Sequence, residues 1–376
     1  MTAIHGFSAP RFAPVKAAFE RNFAERDEIG ASVAISLEGE IVVDLWGGTL
    51  AKGSDAPWQE DTIVNVWSST KTMAAMTLLI LADQGEIDFA TPVAHYWPEF
   101  AAAGKETVTI AHVMAHQAGL SGMDAPVEGD ALYDWDWMTA RLAEQAPWWE
   151  PGTASGYHAF TQGFLQGEIV RRVTGQTLGA FFKQEIAEPT GADFHIGLSD
   201  FEFARVCDLT PPSETIAIPD DGSIAARTFN NPSVEASQAN ARGWRKAEIP
   251  AANGHGNARS IVRAQTAMAN GGMAFGKQIL SEAGAARVFE EQCRGVDLVM
   301  GMPVALGLGY GINSQLLPIA PNPHVCFWGG YGGSLVVVDQ DAKMCVAYAM
   351  NRMEPGITGD ERGMSLALAA YQSLAG

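Results

Sequence analysis

Apolar and polar positions along the chain change period several times, and those changes divide it into elements. Residues 12–24 follow the spacing of an amphipathic helix. Residues 31–37 and 41–46 then read as two strands of a hairpin, joined by a turn at Glu38-Gly39-Glu40. From 69 to 84 the pattern becomes helical and apolar on almost every side, with Met73, Met76, Leu78, Leu79, Ile80 and Leu81. A helix without a polar face is a buried one, and Gly85 is placed to stop it. Between about 88 and 250, helical stretches alternate with long loops rich in Pro, Gly and Trp. Strand signals return at 335–338 and 344–350 around a turn at 339–341, and a helix over 360–374 closes the chain. There is no internal repeat or low-complexity segment. The pattern predicts an α+β fold: an antiparallel sheet built from both chain ends, flanked by helices, with a largely helical second region. The expected boundaries are 1–87 and 251–376 for the discontinuous sheet region and 88–250 for the insertion.

Candidate chemistry sits at the head of the buried helix, in the run Trp67-Ser68-Ser69-Thr70-Lys71-Thr72. Positions i and i+3 of a helix share a face, so Ser68 and Lys71 can look into one cleft. Unpaired N–H groups and the positive dipole end at the helix start favour a developing anion there. A lysine held out of water has a depressed pKa and can exchange protons with a hydroxyl. Alternatively, Ser68 is a helix cap and Lys71 a solvated lysine. Against that, Lys71 is the only lysine in the chain with a serine three residues upstream, and it opens an apolar helix where an unpaired charge is costly.

Two later segments add possible partners. Tyr157, in the run 150–158, could serve as a general base if a cationic lysine lay beside it; by itself it reads more readily as a loop tyrosine packing its ring. The stretch Phe327-Trp328-Gly329-Gly330-Tyr331-Gly332-Gly333-Ser334 leads into a strand, and its glycines permit close approach of a ligand or another backbone. An edge N–H aimed at Ser68 could complete an oxyanion hole with the N–H of Ser68 itself. A plain Gly-rich turn is the simpler alternative.

Composition narrows the function classes. With 376 residues, 47% hydrophobic and 18% charged, the chain has the make-up of a globular enzyme. Its formal net charge of -19 argues against nucleic acid and against an anionic membrane surface as partners. The first residues, 1–7, lack the basic-then-apolar pattern of a secretory signal, and no apolar run is long enough to span a bilayer. The four cysteines Cys207, Cys293, Cys326 and Cys345 show no CxxC spacing and read as reduced, mostly buried thiols of a cytoplasmic protein.

Taken in order, these segments resemble the serine β-lactamase and penicillin-binding-protein superfamily, above all its class C-like family VIII carboxylesterases. Residues 81–88, His116-Gln117-Ala118-Gly119-Leu120, Pro151-Gly152-Thr153 and 253–260 add to the likeness, which runs from about 30 to about 352. The resemblance implies a β-lactamase/transpeptidase-like fold. Ser68 would be the acylated nucleophile, Lys71 its activator, and Tyr157 the proton shuttle and activator of water. Trp328-Gly329-Gly330 would stand in place of the K-T-G triplet, and Tyr331 would give the second oxyanion N–H. Two departures matter. Trp328 replaces the lysine that helps hold a β-lactam carboxylate, and Tyr157-His158-Ala159 lacks the amide of the usual Y-x-N triplet. Both weaken recognition of penicillin-like acids and favour uncharged, apolar acyl esters. The expectation is therefore a cofactor-free carboxylesterase acting on small esters, with weak β-lactam turnover. The alternatives are a β-lactamase or D-amino-acid amidase, and a non-catalytic scaffold. Oligomeric state stays open.

Other signals are weaker. His112 and His116 have i, i+4 metal-ligand spacing without a third ligand, and read as a structural pair. No G-x-S-x-G is present, and the glycines of 307–311 lack a dinucleotide-site setting. Trp135, Trp137, Trp148 and Trp149 crowd the segment before Tyr157; they are either core of the insertion or, for Trp135 and Trp149 with His158, walls of an acyl pocket. Asp124, Asp134 and Asp136 read as solvated.

Overall fold

The computed structural model describes residues 2–375 apart from 215, 216 and 219. Met1 and Gly376 of the expected sheet region, and those three positions of the expected insertion, therefore lie outside the described residues. The dominant feature is a nine-stranded antiparallel sheet with the spatial order Ile4–Ser8, Glu40–Gly48, Gly30–Leu37, Met344–Met350, Leu335–Asp339, Val325–Gly329, Gly311–Ile312, Pro303–Leu306 and Cys293–Val296. Both predicted hairpins form. They are joined at the centre by pairing of Met344–Met350 with Gly30–Leu37, which brings Tyr348 opposite Val33 and Ala347 opposite Ala34. The chain ends thus meet in the middle of the sheet. The N-terminal edge strand Ile4–Ser8 is an element that pattern reading missed, because only its ends are even partly buried.

Side chains alternate across a strand, so each face of the sheet takes its own helices. Ser32 and Ser36 face the helix Ala258–Ala269: Ser32 Oγ accepts the N–H of Ala258 at 3.0 Å, and Ser36 Oγ lies 2.8 Å from Thr266 Oγ1. The opposite face carries Tyr348, whose ring lies under Gly363 of the C-terminal helix Glu361–Ala375. That helix packs on the N-terminal helix Ala13–Glu25. The sheet core is therefore sealed on both sides.

The buried helix spans Thr70–Asp83, and every residue from Thr70 to Leu81 is buried. It packs against Thr161–Thr174 and touches Ala258–Ala269, which accounts for its lack of a polar face. Burying its six large apolar side chains contributes on the order of 10 kcal/mol as an upper estimate. That gain offsets the cost of taking Lys71 out of water. A four-stranded sheet of His195–Ile196, Gly254–Gly256, Ile63–Asn65 and Val206–Cys207 holds the approach to the helix. The region 88–250 also contains the helix Trp135–Glu144 and several short 3-10 turns. All four cysteines are free, with Cys293 half-buried and the others buried. Among the described residues no helix is long and apolar enough to cross a membrane.

Candidate active site

Ser68 does not simply precede the helix. It lies in a 3-10 turn, Trp67–Ser69, that feeds straight into Thr70–Asp83. Trp67 has φ 47°, a left-handed conformation that costs a bulky residue on the order of 1–3 kcal/mol. Its ring is fixed between Trp244 and Tyr331, at centroid distances of 5.1 and 5.4 Å. The turn lifts Ser68 onto the floor of a cavity of about 570 Å³ while the helix behind it stays rigid.

Lys71 is buried, and its Nζ lies 2.8 Å from the carbonyl of Ala159, 2.9 Å from that of Ala251 and 3.3 Å from Ser68 Oγ. Burial pushes its pKa well below the ordinary lysine range. A neutral amine has two N–H donors and one lone pair. If the two carbonyls take the donors, the lone pair is left facing Ser68 Oγ. The main chain thus aims the base.

Tyr157 hydroxyl is hydrogen-bonded to Ser68 Oγ, and Lys71 Nζ sits 4.7 Å from the tyrosine ring centroid. Burial pushes the phenol pKa up, with its bond to Ser68 and the Trp328 side chain pulling the other way. The free site therefore favours neutral tyrosine with neutral lysine. The form with an ionised tyrosine beside a charged lysine differs from this one only in where one proton resides.

The glycine-rich strand end closes on the serine from the other side. A Cβ on Gly330 would lie 2.2 Å from Ser334 Oγ, 2.4 Å from the Val66 carbonyl and 3.3 Å from Ser68 N, so only glycine permits this approach. Ser334 Oγ pins the two segments together by donating to the Val66 carbonyl at 2.7 Å and lying 2.9 Å from Ser69 Oγ. Among the described residues, the N–H groups of Ser68 and Tyr331 donate to no protein acceptor, and both residues line the cavity. Gly329 is likewise held against backbone, its Cβ position 2.2 Å from Thr358.

Several expected pocket residues lie elsewhere. Trp328 is 6% exposed and is not among the cavity walls; it stacks on His116 at 27° and 5.5 Å and tilts against Tyr157 at 6.0 Å. His158 is buried with both ring nitrogens engaged, Nδ1 on the Gly156 carbonyl at 2.6 Å and Nε2 on the N–H of Leu120 at 3.2 Å. Burial pushes its pKa to about 3, so it stays neutral and inward-facing. Trp149 covers Gly156 and donates to the Ala154 carbonyl at 3.0 Å. Trp135 lies in a separate open groove, its indole bonded to Glu168 at 2.9 Å. Trp148 likewise donates to Asp124, which is also paired to Arg227, and Asp134 caps its helix. His112 completes a capping box with Thr109, whereas His116 turns inward to accept the N–H of His158 on Nδ1 at 3.0 Å. The two histidines do not converge.

The cavity walls come instead from segments that pattern reading left as loops: Pro211, Pro212, Phe229, Pro232 and Val234, with Phe160 and Ile357. Only the prolines and aromatics of these loops gave a hint in the sequence. Among the described residues no Lys or Arg lines the cavity, and Glu235 is the charged residue on its wall.

Comparison with known proteins agrees with this geometry. The family described as Beta-lactamase matches residues 15–371. The chain belongs to the beta-lactamase family. Within it, the Mycobacterium tuberculosis protein called Esterase/beta-lactamase LipL is 35% identical over 377 residues, which span 96% of this chain and 86% of that protein. A solved family VIII carboxylesterase is 44% identical with a TM-score of 0.93, covering 99% of this chain and 100% of its own. A penicillin-binding-protein homologue from Caulobacter crescentus is 38% identical, also with TM-score 0.93 and the same coverage. The expected superfamily and α+β fold are thereby established.

Proposed function

We propose that this family member is a carboxylesterase that works through an acyl-enzyme on Ser68. The observation that carries the reading is Ser68 Oγ bonded to Tyr157 hydroxyl and facing Lys71 Nζ, on the floor of an apolar cavity without a cation. The esterase names of its relatives support the same class. Ser68 Oγ attacks the ester carbonyl while its proton passes to the neutral Lys71/Tyr157 pair. The N–H groups of Ser68 and Tyr331 hold the oxyanion, and the pair returns the proton to the departing alcohol. Water, deprotonated by the same pair, then attacks the acyl carbon, and the acid leaves as the Ser68 Oγ–acyl bond breaks and the pair returns the proton to Ser68 Oγ. Because Lys71 must be neutral to accept the proton, activity falls as pH drops through its lowered pKa.

A β-lactam carboxylate entering this cavity would lose water and meet no Lys or Arg among the described lining residues, which favours neutral esters over lactams. The cavity is lined by residues between 157 and 237 together with Trp67, Ser68, Ala252, Tyr331 and Ile357, which supports a sheet region carrying a mainly helical insertion. The free cysteines favour a reducing compartment such as the cytoplasm. The deciding experiment compares Ser68→Ala with wild type on a short-chain aryl ester and on a chromogenic cephalosporin. Loss of ester turnover in a variant with unchanged melting supports the reading. Retained turnover removes Ser68 as nucleophile, and faster cephalosporin than ester hydrolysis in wild type would make it a lactamase.

A further inference from the structure

Tyr157 belongs to no helix or strand, yet its hydroxyl must be held against Ser68. The segment carrying it is tied on one side to His116, whose carbonyl accepts the N–H of Gly156 at 2.9 Å and whose Nδ1 accepts that of His158 at 3.0 Å. On the other side stands Asp297, in the turn between Cys293–Val296 and Pro303–Leu306 at the sheet edge. The polarity of this turn is inverted. Asp297 is 1% exposed, whereas Val296 and Leu298 on either side are 63% and 40% exposed. Its Oδ1 accepts three N–H groups, from Tyr157 at 3.0 Å, Val299 at 2.9 Å and Met300 at 2.8 Å. Its Oδ2 is buried without a partner among the described residues. Leu298 N–H adds a second tie, to the Ser155 carbonyl at 2.8 Å.

A turn needing only an acceptor would be served by an uncharged side chain. A buried carboxylate with an unsatisfied oxygen is costly and leaves negative charge behind the tyrosine. From this geometry we infer that Asp297 is a positioning residue for Tyr157: it fixes the main chain that aims the phenol at Ser68, and its charge biases the proton balance that burial sets in the Tyr157/Lys71 pair. The groups facing Tyr157 from neighbouring elements are Ser68, Lys71, His116 and Trp328, with His158 next in sequence. Burial holds both histidines neutral, and Asp297 acts on the phenol to oppose its ionisation. Withdrawing it eases ionisation of the phenol and weakens protonation of the lysine, so the acid limb of the rate profile moves to lower pH.

The inference rests on the Ser68 reading, so the test uses a readout independent of substrate: the rate at which a fluorophosphonate labels Ser68, measured from pH 5 to 9. Asp297→Asn keeps the acceptor oxygen and removes the charge. Its labelling rate at the optimum is expected within about threefold of wild type, with the acid limb shifted down by about half a pH unit or more. Asp297→Ala removes the acceptor and is expected to lower kcat on an aryl ester about 10–100-fold while KM stays within about threefold, since Asp297 does not line the cavity. If the alanine variant does not fold, the asparagine profile decides alone. An asparagine profile superimposable on wild type, or a folded alanine variant with unchanged kcat, overturns the inference and leaves Ser68 as nucleophile. A wild type that takes no label overturns the Ser68 reading and this inference with it.

Discussion

Replacing Gly330 with alanine tests whether the oxyanion hole depends on the close approach of two backbone segments. Gly330 does not have positive φ, so alanine is opposed by space alone. The new Cβ would meet the Val66 carbonyl at 2.4 Å, where ordinary contact begins at 3.4 Å. That carbonyl cannot swing aside freely, because it accepts the hydroxyl of Ser334 at 2.7 Å and the N–H of Ser69 at 3.2 Å. Ser334 Oγ, at 2.2 Å, is held by the same bonds. The strand end must therefore retreat by about 1 Å, taking the N–H of Tyr331 away from the oxyanion position. Loss of one such donor costs about 10²–10³-fold in kcat, or roughly 3–4 kcal/mol of transition-state stabilisation. KM should change little, since the apolar walls come from the loops around 211–237. Initial-rate kinetics on an aryl butyrate, with a thermal melt of the same preparation, measure both quantities. A kcat within about threefold of wild type, in a protein with an unshifted melt, would refute the reasoning.

Three further outcomes follow from other parts of the structure. Lys71→Met keeps the side-chain length and removes the lone pair aimed at Ser68; kcat should fall about 10²–10⁴-fold in stopped-flow acylation, and a rate within tenfold of wild type would exclude lysine as the base. Val234→Trp narrows the cavity, so kcat/KM should drop at least about tenfold for a decanoyl ester while the acetyl ester is spared; equal losses on both would mean that this wall does not contact the acyl chain. Glu28 is buried against Arg362 and bonded to Tyr348 hydroxyl, and burial raises its pKa from 4.5 to about 7. The folded state thus retains a proton that the unfolded state has already lost, and stability falls as pH rises from about 5 through 7. Urea titrations should show wild type losing up to about 3 kcal/mol relative to Glu28→Gln between pH 5 and 8, and a constant difference would contradict this sign.

Much of the framework was legible because it is local. The i, i+3 spacing of Ser68 and Lys71 puts them on one face of whatever helix forms. The apolar run from Met73 to Leu81 has the length and pattern of an interior helix, and the short apolar runs flanking the turns at 38–40 and 339–341 have those of hairpin strands. Helical and strand periods are properties of the backbone, so the residues announce them. The sequence also singled out Trp328 and Tyr157, but not what their side chains touch. Trp328 backs Tyr157 instead of walling the cavity, and His158 points inward, because each ring had a polar or aromatic partner from a distant segment to satisfy. Nor does any local signal mark the carbonyls of Ala159 and Ala251, which reach Lys71 across separations of 88 and 180 residues. Asp297 lies 140 residues from Tyr157. The Ser68–Lys71 pair is thus set by helical spacing within one turn, whereas its carbonyl partners, the close approach of the glycine-rich strand end and the cavity walls arise only when segments without periodicity are packed around it. Loop positions answer to burial and hydrogen-bond satisfaction across the whole fold, and those constraints exist only in three dimensions.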